Sequence, residues 1–282
     1  MLVANHPNAF LDPLIIAAFL KRPTHFLARG DVFNIKGLSS LISTFHVLPV
    51  YRISEGKENI SKNFETFDVC FEVFKKEGMV LLFGDGLCEN NWRLRPMKKG
   101  PARLAKMAWL SDTPARNLKV VPVGLTYEHF SGGGKSAVVA FGNPFDMKVI
   151  GVNPESPQFT QLFNEYLSNQ LSQLAFTNET MTPNTIEHHQ LMSQWITLEK
   201  SDNFNLSDLH QFASMVPSTK RKRFVTLIHK GIIGLPHYWF MQFISLITAG
   251  KTVFYDSVLF ILTLALFPLY WITLLLILLL NL

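Results

Sequence analysis

The apolar pattern predicts an α/β fold, a mixed and mostly parallel sheet flanked by helices, with membrane helices added at the C-terminus. Three observations carry this. Short, nearly continuous apolar runs suit buried strands, and they alternate with stretches whose apolar residues recur at helical spacing. A strand–helix–strand–helix order packs helices onto a parallel sheet. Residues 257–282 then run for 26 positions without a charge, longer than the ~20 residues a membrane-crossing helix requires.

Taken in order, residues 1–4 read as the end of a buried strand. Asp12 and Pro13 suit a helix start, Asp12 as cap and Pro13 at the first helical position, and the helix covers residues 14–19. Residues 25–28 form a short strand, 36–45 a helix, and 47–51 a strand containing Pro49. In residues 63–76 the apolar positions 64, 67, 71 and 74 share one helix face, and Gly78 ends the helix. Residues 79–83 form a buried parallel strand and 100–109 a helix. Strand 120–127 is followed by the turn at 131–135 and a returning, antiparallel edge strand at 136–141. Residues 153–176 are mostly helical.

Three regions follow: an α/β domain over 1–176, expected to lack an N-terminal strand or helix; a polar helical connector over 177–223; and a membrane-associated region over 224–282. In the last, residues 257–282 form either one tilted span or, broken at Pro268, two short arms. Residues 231–250 form either a second span or an interfacial segment. The basic run Lys220–Arg223 reads as an anchor against anionic lipid on the cytoplasmic side. It lacks the interleaved aromatics of a nucleic-acid binder, so no nucleic-acid partner is expected. No signal peptide is read at the start.

Charged residues make up 17% of the 282-residue chain and hydrophobic residues 48%, which excludes wholesale disorder. The net charge is +5, the isoelectric point near 9.1 and the mean hydropathy +0.18. Two cysteines, Cys70 and Cys88, build neither a disulfide scaffold nor, without neighbouring ligands, a zinc site.

Four blocks hold residues suited to chemistry. In NHPNAFLD (5–12), a histidine follows a strand and an aspartate stands six positions on. A carboxylate beside one imidazole nitrogen fixes the tautomer and leaves the other nitrogen as a base. No Ser or Cys accompanies the pair, so such a base would act directly on a substrate hydroxyl. The residues equally allow a buried histidine with Asp12 as a helix cap. In residues 81–100 an apolar strand delivers Asp85 and Gly86 at its carboxyl end, where α/β sites lie. Arg93, Arg95, Lys98 and Lys99 follow, either a phosphate-binding cluster or a solvated loop that Glu89 partly neutralises. Arg52 ends LPVYR, and Arg29 is its counterpart one strand earlier; each either clamps a phosphate or lies on the surface. Pro122 within VVPVG points to an edge, a bulge or a pocket wall, or to plain core packing. Two look-alikes fall away. Residues 250–252 lack the glycine loop of a nucleotide binder, and 131–135 are a hairpin turn.

Together and in this order, the blocks resemble those of the PlsC-like glycerolipid acyltransferase family, over roughly residues 1–150. The family's first block is a histidine, a short spacer and an aspartate, matched by His6 and Asp12 with five residues between them, as in the glycerol-3-phosphate branch. The second block ends in an arginine, matched by Arg52, though His46 stands where a glycine is usual. The third, Phe-Pro-Glu-Gly-Thr-Arg, reads FGDGLC here: Gly86 is kept, Asp85 replaces glutamate, and Cys88 replaces arginine. Lys98 and Gly100 match the lysine and glycine that follow, and Pro122 matches the fourth block.

The resemblance implies a glycerol-3-phosphate acyltransferase-like fold and an O-acyltransferase of phospholipid biosynthesis. The acyl donor would be acyl-CoA or acyl carrier protein, and the acceptor glycerol-3-phosphate or a lysophospholipid. His6 would be the base and Asp12 its orienting partner. Arg52, Arg93, Arg95 and Lys98 would hold the phosphate, with Asn5, Asp85, Gly86, Gly100 and Pro122 shaping the site. The oxyanion is expected on backbone N–H groups near the His6 loop. No cofactor or metal is implied beyond the acyl donor. The lipid bilayer is an expected partner, with the chain in a bacterial inner membrane and its catalytic domain facing the cytoplasm. The alternative is a catalytically impaired, membrane-bound lipid-binding protein of the same fold, in keeping with Cys88 in the arginine's place.

Overall fold

The computed structural model describes residues 1–30, 33, 46–51, 61–130 and 137–177, and near the end of the chain 261–262, 265–266, 268–273 and 275–276. Among them, β1 (Leu2–Ala4), β2 (Thr24–Arg29), β3 (Val47–Val50), β4 (Met79–Phe83), β5 (Val121–Tyr127) and β6 (Ala137–Phe141) form one sheet in the order β3-β2-β4-β1-β5-β6. Neighbours are parallel except β5 and β6. The sheet is therefore mixed and mostly parallel, as its apolar strands predict. The helix expected over 36–45 and the turn at 131–135 lie outside the described residues.

Helices α1 (Leu11–Phe19), α2 (Lys62–Lys75), α3 (Lys99–Trp109), α4 (Met147–Ile150) and α5 (Phe159–Leu174) accompany the sheet. Side chains alternate along each strand, so one strand feeds two cores. Val3, Val80, Leu82 and Val120 pack with Phe74 of α2, Leu104 and Ala108 of α3, and Phe163 and Leu167 of α5. Leu2, Ala4, Leu81, Val123 and Leu125 pack on the other side with Ile16 of α1 and with Trp92, Phe130 and Phe176. The helix expected within 153–176 is α5; it buries Phe159, Phe163, Leu167 and Leu171, a stripe four residues apart.

Several local expectations shift. The first helix begins at Leu11, with Phe10 at the cap position making no side-chain cap, so Asp12 lies inside the first turn and its carboxylate is turned inward. On α2 the fully buried positions are Thr66, Cys70 and Phe74, while Phe64 is 70% exposed; Phe67 and Phe71 only flank the core. The α2 terminus turns at Glu77, whose φ is 56°. Gly78 follows because a Cβ there would sit 2.6 Å from Val73 Cγ1. Pro122 lies not on an edge strand but on β5, opposite Val3 of β1. Its carbonyl accepts from the Gly142 N–H at 2.9 Å, beyond the last β5–β6 pair, Val123 and Phe141. The proline's missing donor faces that same side, so positions 122 and 142 are joined by this one bond without the reciprocal one, which the end of the strand pair tolerates.

The expectation of C-terminal membrane helices is overturned. Among the described residues no helix is long and apolar enough to cross a membrane. The helical residues described between 261 and 276 include exposed Ile261, Leu269, Ile272 and Leu275. The expected membrane localisation through such a segment falls with it. The candidate span at 231–250, the basic run at 220–223 and nearly all of the connector over 177–223 lie outside the described residues.

The end of α5 crosses the sheet at Gly124, where a Cβ would lie 2.3 Å from the Leu174 carbonyl oxygen. Backbone cannot yield as a flexible side chain would. Gly124→Ala is expected to destabilise the fold by about 2 kcal/mol, read as a lower urea midpoint at unchanged slope. An unchanged midpoint would mean that α5 gives way freely.

Candidate active site

The strand order sets the site. β1 lies between β4 and β5, with Ala4 level with both Phe83 and Val123, so the segments leaving β1 and β4 emerge side by side at the carboxyl edge. Asn5 continues the ladder with its side chain: Nδ2 donates to the Leu125 carbonyl at 2.9 Å, and Oδ1 accepts from the Leu125 N–H at 2.7 Å. This amide pairing fixes where His6 leaves the sheet.

His6 Nδ1 and Asp12 Oδ2 are 2.7 Å apart, with the His6 side chain 18% exposed and Asp12 fully buried. The imidazole stacks on the Phe83 ring, centroids 3.9 Å apart and planes 12° from parallel. Asp12 also accepts from the Asn8 N–H at 2.8 Å and from the Tyr127 hydroxyl at 2.7 Å. Multiple donors are what a buried carboxylate requires to stay ionised. An ionised Asp12 puts the ring proton on Nδ1 and the lone pair on Nε2. The loop is tightly wound, Ala9 having φ 40°, and the Ala9 N–H donates to Cys88 Sγ at 2.8 Å. Burial first, then the Asp12 charge, push the Cys88 thiol up to about 12, so it is no thiolate nucleophile at neutral pH.

Asp85, 2% exposed, faces the histidine loop. Its Oδ2 accepts from the Arg95 guanidinium at 2.7 Å and from the His6 N–H at 3.3 Å. Arg95 Nη2 also donates to the His6 carbonyl at 3.3 Å and to the Leu87 carbonyl, and Nη1 lies 3.4 Å from Glu89. The guanidinium thus turns inward and ties the 85–89 turn to the loop carrying His6. Gly86 takes φ 64° in that turn, a left-handed conformation suited to glycine, and a Cβ there would meet Lys98 Cγ at 3.1 Å.

The remaining expected residues are placed as follows. Lys98 is exposed at the start of α3 and its N–H donates to the Gly84 carbonyl at 2.7 Å. Arg93 is exposed, its N–H donating to Asn91 Oδ1 at 3.1 Å. Gly100 has nothing within 4 Å of where a Cβ would stand, so no close approach requires a glycine there. Pro122 pairs with Val3 toward the amino end of β5, away from the dyad. Arg52 lies outside the described residues. The backbone donors expected for an oxyanion are already in use: those of His6, Asn8 and Ala9 bond Asp85, Asp12 and Cys88, and Pro7 has none.

Tyr127 and the Cys88 contact were not foreseen as parts of the site. The one sequence signal for Tyr127 is a hydroxyl-bearing ring at the carboxyl end of an apolar strand. A cavity of about 390 Å³ lined by Trp109, Leu110, Arg116 and Lys148 lies at the far end of α3, away from the His6–Asp12 pair. Among the described residues no three His, Cys, Asp or Glu side chains gather as a metal site would.

Fold and site define an α/β domain with a His–Asp pair at adjoining strand tips. Residues 1–126 match the model of the Acyltransferase family. Among solved structures it is similar to the 1-acyl-sn-glycerophosphate (LPA) acyltransferase PlsC from Thermotoga maritima, at 17% identity and a TM-score of 0.40. The similarity covers 60% of this chain and 62% of that one. None of the curated proteins matches.

Proposed function

We propose that this domain moves an acyl group from an acyl thioester to a hydroxyl of a phosphorylated glycerol or lysolipid. The observation that carries the reading is the 2.7 Å His6–Asp12 contact, with the ring 18% exposed and Nε2 hydrogen-bonded by no described residue. His6 Nε2 takes the acceptor hydroxyl's proton. The oxygen attacks the thioester carbonyl and forms the new C–O bond; the tetrahedral intermediate then re-forms its C=O as the C–S bond breaks, and the proton passes from His6 to the departing thiolate. Asp12 holds the ring and balances the imidazolium. Arg93 and Lys98, with Arg52, supply the positive charge for the acceptor's phosphate. Arg95 serves by bracing the loop, since its Nη2 is bonded to Asp85 and to the His6 and Leu87 carbonyls. With the His6-loop N–H groups in use, the oxyanion is held by donors outside that loop.

The test is thiol release from a long-chain acyl-CoA by the full chain, with glycerol-3-phosphate, lysophosphatidate or lysophosphatidylcholine as acceptor. Turnover is expected only with an acceptor present, and fastest with one bearing a phosphomonoester. Absence of transfer to every acceptor, from both acyl-CoA and acyl carrier protein, would overturn the proposal. Binding of these lipids without turnover would favour the second reading, a lipid-binding domain that has lost catalysis, which Cys88 in place of the motif arginine supports.

A further inference from the structure

The buried face of Asp12 carries a group that the His–Asp reading leaves unused. Tyr127 is fully buried, and its hydroxyl donates to Asp12 Oδ1 at 2.7 Å across 115 positions of sequence. The tyrosine is held at both ends. Its carbonyl accepts from Trp92 Nε1 at 3.0 Å, and its ring packs beside Phe130, whose own ring is tilted 4.5 Å from that of Trp92. The other carboxylate oxygen serves His6 Nδ1 and the Asn8 N–H. Rotation of the Asp12 carboxylate would therefore break bonds on both oxygens at once.

Resting on the acyl-transfer reading above, we infer that Tyr127 is a positioning residue for His6, acting through Asp12: its hydroxyl locks the carboxylate plane and so fixes the direction in which Nε2 points. The competing explanation is that a buried tyrosine merely needs an acceptor for its hydroxyl. The two differ in what they require of His6. A locked carboxylate sets the strength and exchange rate of the Nδ1–H bond, whereas a hydroxyl that only satisfies itself leaves that proton untouched.

The experiment compares Tyr127→Phe with the unaltered full chain by acyl-transfer kinetics and by NMR of the His6 Nδ1 proton. Expected is a fall in kcat of about tenfold, the scale on which outer partners of a fixed imidazole act, at nearly unchanged KM. The Nδ1–H signal should move, because Asp12 has lost one donor and binds the remaining proton differently. An unmoved signal with unchanged kcat overturns the inference, as does lower thermal stability with kcat and signal both intact. If Tyr127→Phe does not fold, 3-fluorotyrosine at position 127 decides. It keeps the shape and strengthens the donor, so the signal should move with transfer retained; an unmoved signal refutes the coupling. The NMR readout does not depend on turnover. Activity surviving His6→Ala would remove the base assignment and still leave the Tyr127–Asp12–His6 coupling to be judged on the spectrum.

Discussion

His6→Ala is expected to lower acyl transfer by roughly three orders of magnitude while leaving the domain folded. Among the described residues the side chain bonds Asp12, 2.7 Å from Nδ1, and stacks on the face of Phe83. Asp12 keeps the Asn8 N–H and the Tyr127 hydroxyl after the change, so the buried carboxylate is not stranded and the structural cost stays near 1 kcal/mol. Loss of turnover with a nearly unchanged melting curve is the expected pair of results. Full activity would end the assignment of His6 as base. Loss of both activity and folding would be resolved by His6→Gln, which keeps a polar group near Asp12 and has no basic nitrogen to accept a proton.

Arg95→Ala should produce the largest loss of stability, about 3 kcal/mol. The guanidinium is 15% exposed and its partner Asp85 is 2% exposed. Its removal leaves Asp85 buried with the longer 3.3 Å bond from the His6 N–H; it also takes a donor from the Leu87 carbonyl and leaves the His6 carbonyl with only the Glu89 N–H at 3.4 Å. Chemical denaturation reads the change directly. Arg95→Lys should recover only part of it, since an ammonium cannot reproduce the planar fork. Because the same group ties the 85–89 turn to the loop carrying His6, turnover should fall even where the variant is fully folded. Unchanged stability with a raised KM for a phosphorylated acceptor would instead make Arg95 a substrate ligand, the role expected of it as part of the cationic cluster after the FGDGLC block.

Why the sequence suggests that role and the structure another lies in the range of the contacts. The strands β1, β4 and β5 and their order with the helices were legible because apolar runs report local burial. The His6–Asp12 pair was legible because both residues lie in one short loop. Asp12 was misread as a cap because the helix begins one residue sooner than Asp12, with Phe10 rather than Asp12 at the boundary. Phe64 was assigned to a buried face because hydrophobicity at the right spacing does not say which way a helix is rolled. Arg95 and Tyr127 could not be placed at all: the inward turn of one depends on a carboxylate ten positions away, and that of the other on one 115 positions away. The charge-free terminal run was read as one tilted span or two short arms on hydropathy alone, and among the described residues no helix is long and apolar enough to cross a membrane.

The stretch matching the Acyltransferase family stops at residue 126, one residue short of the end of β5. The strand beside β5 and the long helix sealing the inner side of the sheet come later, β6 at Ala137–Phe141 and α5 at Phe159–Leu174. Without them Val3, Val80 and Val120 would lose the aromatic lid formed by Phe159 and Phe163. The unit that folds cooperatively is therefore wider than the stretch in which ancestry is spelled out. The later segment supplies mechanical support for chemistry written entirely ahead of it, and changes there would be felt at the dyad without altering a single motif residue.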